Sequence, residues 1–203
     1  MDSLRDLADS ANALLAEVGS APLSPEAIGR MVGDGAATLV ARAFAAGGRP
    51  QPPDALSRFL TIYNARLLKF TRPYPGMPET LDALSSRAIL AVLTNKPLDA
   101  TKAILNGLDL GRHFEPERIV GGDGQVPRKP DPSGLRHLME RAGVAGPDTV
   151  LIGDSVIDVR TARAAGTAVC LARYGFGFQG IPQSELRDED RVVDRPTDLL
   201  SVL

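Results

Sequence analysis

The stretch Val150-Leu151-Ile152-Gly153-Asp154-Ser155-Val156-Ile157-Asp158, running on to Gly166, most limits what this chain can fold into. Its short continuous apolar run predicts a strand buried on both faces. A helical pattern follows, with Val156, Val159 and Ala162 on one face and Gly166 as the stop. Asp154 then falls at the carboxyl end of a parallel strand and Asp158 in the first turn of the next helix. Open α/β sheets place their ligands at that edge. Two hard oxygen donors there suit Mg²⁺. The same residues also read as a plain helix start, with Asp154 as the cap and Asp158 on the helix dipole.

The rest of the chain supports an α/β core preceded by a helical segment. Residues 3 to 18 carry Leu4, Leu7, Ala8, Ala11, Leu14, Leu15 and Val18 at helical spacing, with Ser3 and Asp6 as a capping box. Ser24-Pro25-Glu26 opens a second helix, which breaks at Gly33-Asp34-Gly35. A third holds Leu39, Val40, Ala43 and Phe44, and a fourth runs from Leu56 to Phe70. After the stiff linker Pro73-Tyr74-Pro75-Gly76-Met77-Pro78 the pattern alternates. Strands are predicted at 88–93, 118–120, 149–152, 167–172 and 192–193, with helices between them and a last helix opened by Pro196. Such alternation means a parallel, doubly wound sheet. The predicted division is a four-helix segment over 1–73 and an α/β core over 74–203.

Composition excludes several classes of function. The chain has 203 residues, 43% of them apolar, with a net charge of −2, so no basic field points to nucleic acid. No apolar run reaches membrane-spanning length and no signal peptide is recognisable, so a cytoplasmic protein is expected. The lone Cys170 rules out an internal disulfide and lies in an apolar run as a small buried hydrophobe. His113 and His137 are expected in surface or satisfied polar roles rather than in catalysis.

Three strand ends carry polar groups that a doubly wound sheet can bring together: Thr94-Asn95, Lys129, and Asp154 with Asp158. A hydroxyl with backbone N–H groups holds phosphate oxygens, and a lysine neutralises them as a point charge. Paired carboxylates hold a metal against another phosphate oxygen. Singly, Thr94-Asn95 also reads as a helix cap and Lys129 as a solvated loop lysine.

The ordered set Thr94-Asn95-Lys96-Pro97, Gly121-Gly122-Asp123 with Lys129-Pro130-Asp131-Pro132, and Gly153-Asp154-Ser155-x-x-Asp158 resembles the haloacid dehalogenase superfamily, in its phosphoglycolate phosphatase-like branch. The resemblance covers essentially the whole chain. It implies that residues 1–73 are an α-helical cap and that Gly33, Asp34 and Gly35 shape the pocket for the leaving group. It further implies that Thr94 binds the transferring phosphoryl group beside Asn95, that Lys129 stabilises its charge, that Asp154 binds Mg²⁺, and that Asp158 supports the metal shell. The expected substrate is a small phosphate ester, 2-phosphoglycolate first, hydrolysed through an aspartyl-phosphate by a monomer or homodimer. A sugar phosphate or pyrophosphate stays open, as does a pseudo-enzyme that keeps the pocket as a phosphate- and metal-binding module.

One motif of that family, Asp-x-Asp-Gly-Thr, is absent from the 203 residues. Its first aspartate is the family's nucleophile and its second the general acid and base. Asp2-Ser3 matches residues that follow the motif in relatives, with Met1 where valine is common. The reading therefore expects in-frame codons for the motif upstream of Met1. It also expects the 203 residues alone to be inactive or crippled, since the attacking carboxylate and a central strand are missing.

Overall fold

The computed structural model describes all 203 residues. Four helices come first: α1 (Leu4–Ala16), α2 (Pro25–Gly29), α3 (Ala36–Ala46) and α4 (Ala55–Asn64). Their apolar faces converge on one cluster that includes Leu14, Leu15, Ile28, Phe44, Phe59 and Tyr63. Ser24 caps α2 by accepting from the Ala27 N–H at 3.2 Å, as its sequence predicts.

The first helix starts differently from the expectation. Ser3 makes no side-chain cap bond. Asp6 is fully buried, and its Oδ2 accepts from the backbone N–H groups of Phe70 and Thr71 and from the Thr71 hydroxyl, at 2.9, 2.7 and 2.7 Å. Three donors in a low-dielectric interior outcompete a single cap bond. The chain must be out of helical form to offer them, and α4 accordingly stops at Asn64 rather than at Phe70.

Beyond the linker come α5 (Met77–Ser85), β1 (Val92–Leu93), α6 (Leu98–Gly107), β2 (Ile119–Val120), α7 (Ser133–Ala142), β3 (Val150–Gly153), α8 (Val156–Ala165), β4 (Ala168–Ala172), β5 (Arg191–Val193) and α9 (Leu199–Val202). All strand pairs are parallel. Helices cover both faces, and the alternation along β4 shows it. Val169 and Leu171 join Leu135 of α7 and Val159 of α8, while Cys170 joins Leu84 of α5 and Leu199 of α9. The doubly wound α/β reading therefore holds, with Cys170 buried as expected.

The sheet is in two pieces: β1–β2, and β3–β4–β5 with β4 in the middle. Leu93 of β1 packs on the cluster that contains Leu151 of β3, so the pieces lie side by side, yet no ladder joins them. No further strand pairs with either facing edge. Ile89 and Ile152 keep 49% and 39% of their surface exposed, and only Val92–Leu93 of the predicted strand 88–93 pairs. No helix is long and apolar enough to cross a membrane.

Candidate active site

The carboxyl ends of β1 and β3, the loop before α7 and the loop between α2 and α3 meet around a cavity of about 210 Å³, the volume of about seven waters. Thr94, Asn95, Lys129, Asp154 and Asp158 all line it. The strand-end residues singled out in the sequence therefore do converge. Gly33 and Gly35 line it from the helical side. Asp34 does not; its carboxylate pairs with Arg42 of α3 at 2.6 Å.

Asn95 is the tie between the parts. Its Oδ1 accepts from the Lys129 N–H at 2.9 Å, and its Nδ2 donates to the carbonyls of Lys129 and Gly33 at 2.9 and 2.8 Å. One buried amide thus holds the lysine loop and the helical layer to β1. It caps no helix, since α6 begins at Leu98 with Pro97 at the N-cap position and no side-chain cap bond. Thr94 continues the ladder by donating its N–H to the Val120 carbonyl at 3.0 Å, and its Oγ1 accepts from the Lys96 N–H at 3.1 Å.

Lys129 is not a solvated loop lysine. Its Nζ donates to Asp158 Oδ1 at 2.6 Å, with side-chain exposures of 14% and 6%. The other oxygen of Asp158 takes the N–H groups of Asp154 and Ser155, both at 3.1 Å, and the Ser155 hydroxyl at 2.7 Å. Ser155 and Asp158 form a reciprocal capping box, so Ser155, not Asp154, is the cap of α8. Burial pushes the Asp158 carboxyl up, but the Lys129 ammonium and the bonds from Lys129 and Ser155 outweigh it and hold it below the usual carboxylate range. Gly153 makes this close arrangement possible, since a Cβ there would lie 2.2 Å from the Asp158 carboxyl carbon.

Asp154 is placed for a different task. Its Oδ2 accepts from the Gly177 N–H at 3.0 Å, while its Oδ1 has no protein partner. Burial pushes its carboxyl up, and the Asp158 charge adds to the rise against the pull of the Gly177 N–H. Of the two carboxylates it is Asp154 that offers an oxygen to a cation together with water and phosphate ligands. Nowhere do three or more His, Cys, Asp or Glu side chains gather into a ready metal cage. Tyr174-Gly175-Phe176-Gly177-Phe178, an aromatic loop in the sequence, closes over Asp154. A Cβ on Gly175 would fall 2.2 Å from Asp154 Oδ2, and Phe176 lines the cavity.

Three contributors went unseen in the sequence. Lys96 and Tyr63 face each other across the cavity, the lysine Nζ donating to the phenol oxygen. Ser155 stood in the Gly153-Asp154-Ser155 motif without a role of its own. The signal for Lys96 was its place directly after Thr94-Asn95; Tyr63 stood as one more apolar position on its helix. The histidines stay out of the site. His113, expected to be surface or satisfied, is buried with Nε2 unpartnered and 3.6 Å from Asp82.

Comparison with known proteins agrees with this architecture. The profile of the haloacid dehalogenase-like hydrolases matches residues 3–166. A phosphoglycolate phosphatase of Rhodospirillum rubrum is 44% identical over 188 residues, covering 88% of this chain and 77% of that protein. One of Agrobacterium fabrum is 37% identical over 199 residues, covering 96% and 83%. The crystal structure of a predicted phosphoglycolate phosphatase from Haemophilus somnus superposes with a TM-score of 0.89 at 30% identity, over 98% of this chain and 91% of that one. Such matches along most of the chain settle the classification: the chain belongs to the haloacid dehalogenase-like hydrolase family of enzymes.

Proposed function

We propose that this protein is a cytoplasmic phosphatase for a small phosphomonoester, 2-phosphoglycolate, with residues 1–73 as cap and 74–203 as core. The carrying observation is the meeting of Thr94, Lys129 and Asp154 at one cavity rim. The naming of relatives 44% and 37% identical as phosphoglycolate phosphatases supports the substrate. In this reading the Thr94 hydroxyl and neighbouring N–H groups orient the phosphoryl oxygens, and Lys129 offsets their charge while Asp158 holds the ammonium in place. Asp154 would hold Mg²⁺, which when bound supplies further charge stabilisation to the phosphoryl group. Asn95 fixes the distance between cap loop and rim, and Phe176 with Leu39 and Phe59 keeps bulk water from the leaving group.

The only carboxylates lining the cavity are Asp154 and Asp158. Asp158 is committed on both oxygens, and Asp154 is the cation ligand of this reading. These 203 residues therefore present no free carboxylate to accept the phosphoryl group. The proposal is that they bind and polarise the ester without turning it over through an aspartyl-phosphate. Calorimetry with 2-phosphoglycolate and with orthophosphate in Mg²⁺ tests the binding part, and phosphate release tests the turnover part. Binding that weakens at least tenfold in Lys129→Met, with release at the blank level, is expected. Failure of the unaltered chain to bind either ligand refutes the reading; rapid Mg²⁺-dependent release refutes the missing-acceptor part.

A further inference from the structure

Lys96 is a cation without an anion. Its backbone is locked, with its N–H on Thr94 Oγ1 at 3.1 Å and its carbonyl accepting from the Gly122 N–H at 2.8 Å. Its ammonium lies 4.5 Å from the centre of the Tyr63 ring and donates to the Tyr63 oxygen. No carboxylate lies within ion-pair distance of it, whereas Lys129, lining the same cavity, is neutralised by Asp158. The carboxylate whose charge acts on it is Asp6. That carboxylate is spent on Phe70 and Thr71 and faces Arg66 at 3.8 Å.

Removing an ammonium from water without an ionic partner is costly, and a packed apolar side chain would serve stability better. One phenol oxygen uses one of its three N–H groups, leaving two for a ligand. Burial brings the Lys96 pKa down to about 8, which still leaves the group charged at neutral pH. The cavity thus has one cation matched within the protein and one awaiting an anion from outside.

Resting on the phosphatase reading above, we infer that Lys96, steadied by Tyr63, is the specificity-determining residue that takes the carboxylate at the far end of the phosphomonoester bound at Thr94 and Lys129. An ester whose far end is neutral leaves that ammonium unmatched and binds less tightly.

The test compares 2-phosphoglycolate with 2-hydroxyethyl phosphate, which has an alcohol in place of the carboxylate, by calorimetry on the 203-residue chain with Mg²⁺. The unaltered chain is expected to prefer 2-phosphoglycolate by about tenfold or more, as a charge-assisted pair gives. Lys96→Met should bring the ratio to about one, and Lys96→Arg should keep part of it. The melting temperature of Lys96→Met should not fall, which separates this role from a structural one. A preference undiminished in Lys96→Met, or both esters weakened by the same factor, overturns the assignment. If the unaltered chain binds the two esters equally, Lys96 is not the reader although the phosphatase reading survives; if it binds neither, both readings fail together.

Discussion

Two lysines line one cavity, and the fold treats them in opposite ways. Lys129 comes from a core loop, and its charge is matched at 2.6 Å by Asp158, which is itself braced by Ser155 and two backbone N–H groups. Lys96 follows β1 and leans on a phenol from the helical layer, with no carboxylate in reach. The matched cation belongs to a preorganised network whose parts stabilise one another. The unmatched one is a local cost carried by the rest of the structure, as groups poised for ligands are. Charge balance inside the cavity is thus what sets the two lysines apart: one is matched within the protein and the other is not.

This contrast can be broken most forcefully at Lys129. Lys129→Met leaves Asp158 buried without its cation. A loss of about 3 kcal/mol is expected, a fall in melting temperature on the order of 10 °C, together with the weakened phosphate binding. Thermal unfolding of that variant beside Lys96→Met checks it, because the two should shift with different sign or size. Equal destabilisation by both would erase the distinction.

Acidity sharpens the comparison next. The groups facing Lys96 are Asp6, Tyr63 and the Met1 amino group. Burial pushes the Tyr63 phenol well up, so it stays protonated. A lysine whose folded pKa is depressed from the ordinary value near 10.5 to about 8 loses its charge first in the folded state. Its burial cost is therefore present below about 8 and relieved as pH climbs towards 10.5, so stability from this group rises over that window. Preference for 2-phosphoglycolate should move the other way, declining as pH passes about 8, and the decline should vanish in Lys96→Met. Asp158 gives the acid counterpart. Its depressed pKa contributes stability that is present above the ordinary carboxylate range and lost as pH falls through its folded value. Denaturant titrations across pH report both.

The mildest variant is Tyr63→Phe. It removes the phenol oxygen but keeps the ring beneath the ammonium, so the carboxylate preference should fall by only about two- to threefold. The ratio of the two ester affinities measures it. A larger drop would mean that the phenol itself contacts the ligand.

Much of this was legible in the residues. The apolar run before Asp154 and the helical pattern after it located β3, α8 and the rim between them, because burial period and glycine stops are local signals. Thr94, Lys129 and Asp154 were found because strand ends of a parallel sheet share an edge. What escaped was decided by distant partners. Asp6 looks like half of a capping box until Thr71 arrives from 65 positions away with better donors. Tyr63 looks like core until Lys96 is set against it. The division of the sheet into two ladders also depends on which strands meet, which no single segment announces.

The Asp6 knot has a mechanical consequence. Asp2 and Arg72 exchange backbone hydrogen bonds at 2.8 and 3.1 Å, directly beside the bonds from Phe70 and Thr71 to Asp6. The first residues of the helical segment and its exit are thereby held together, with Pro73 and Pro75 stiffening the chain just beyond. At the cavity mouth two side-chain bonds tie the layers, from Asn95 to the Gly33 carbonyl and from Lys96 to the Tyr63 phenol, each worth about 1 kcal/mol. The helical layer is thus held by backbone and carboxylate bonds on its exit side and by two side-chain bonds at the cavity.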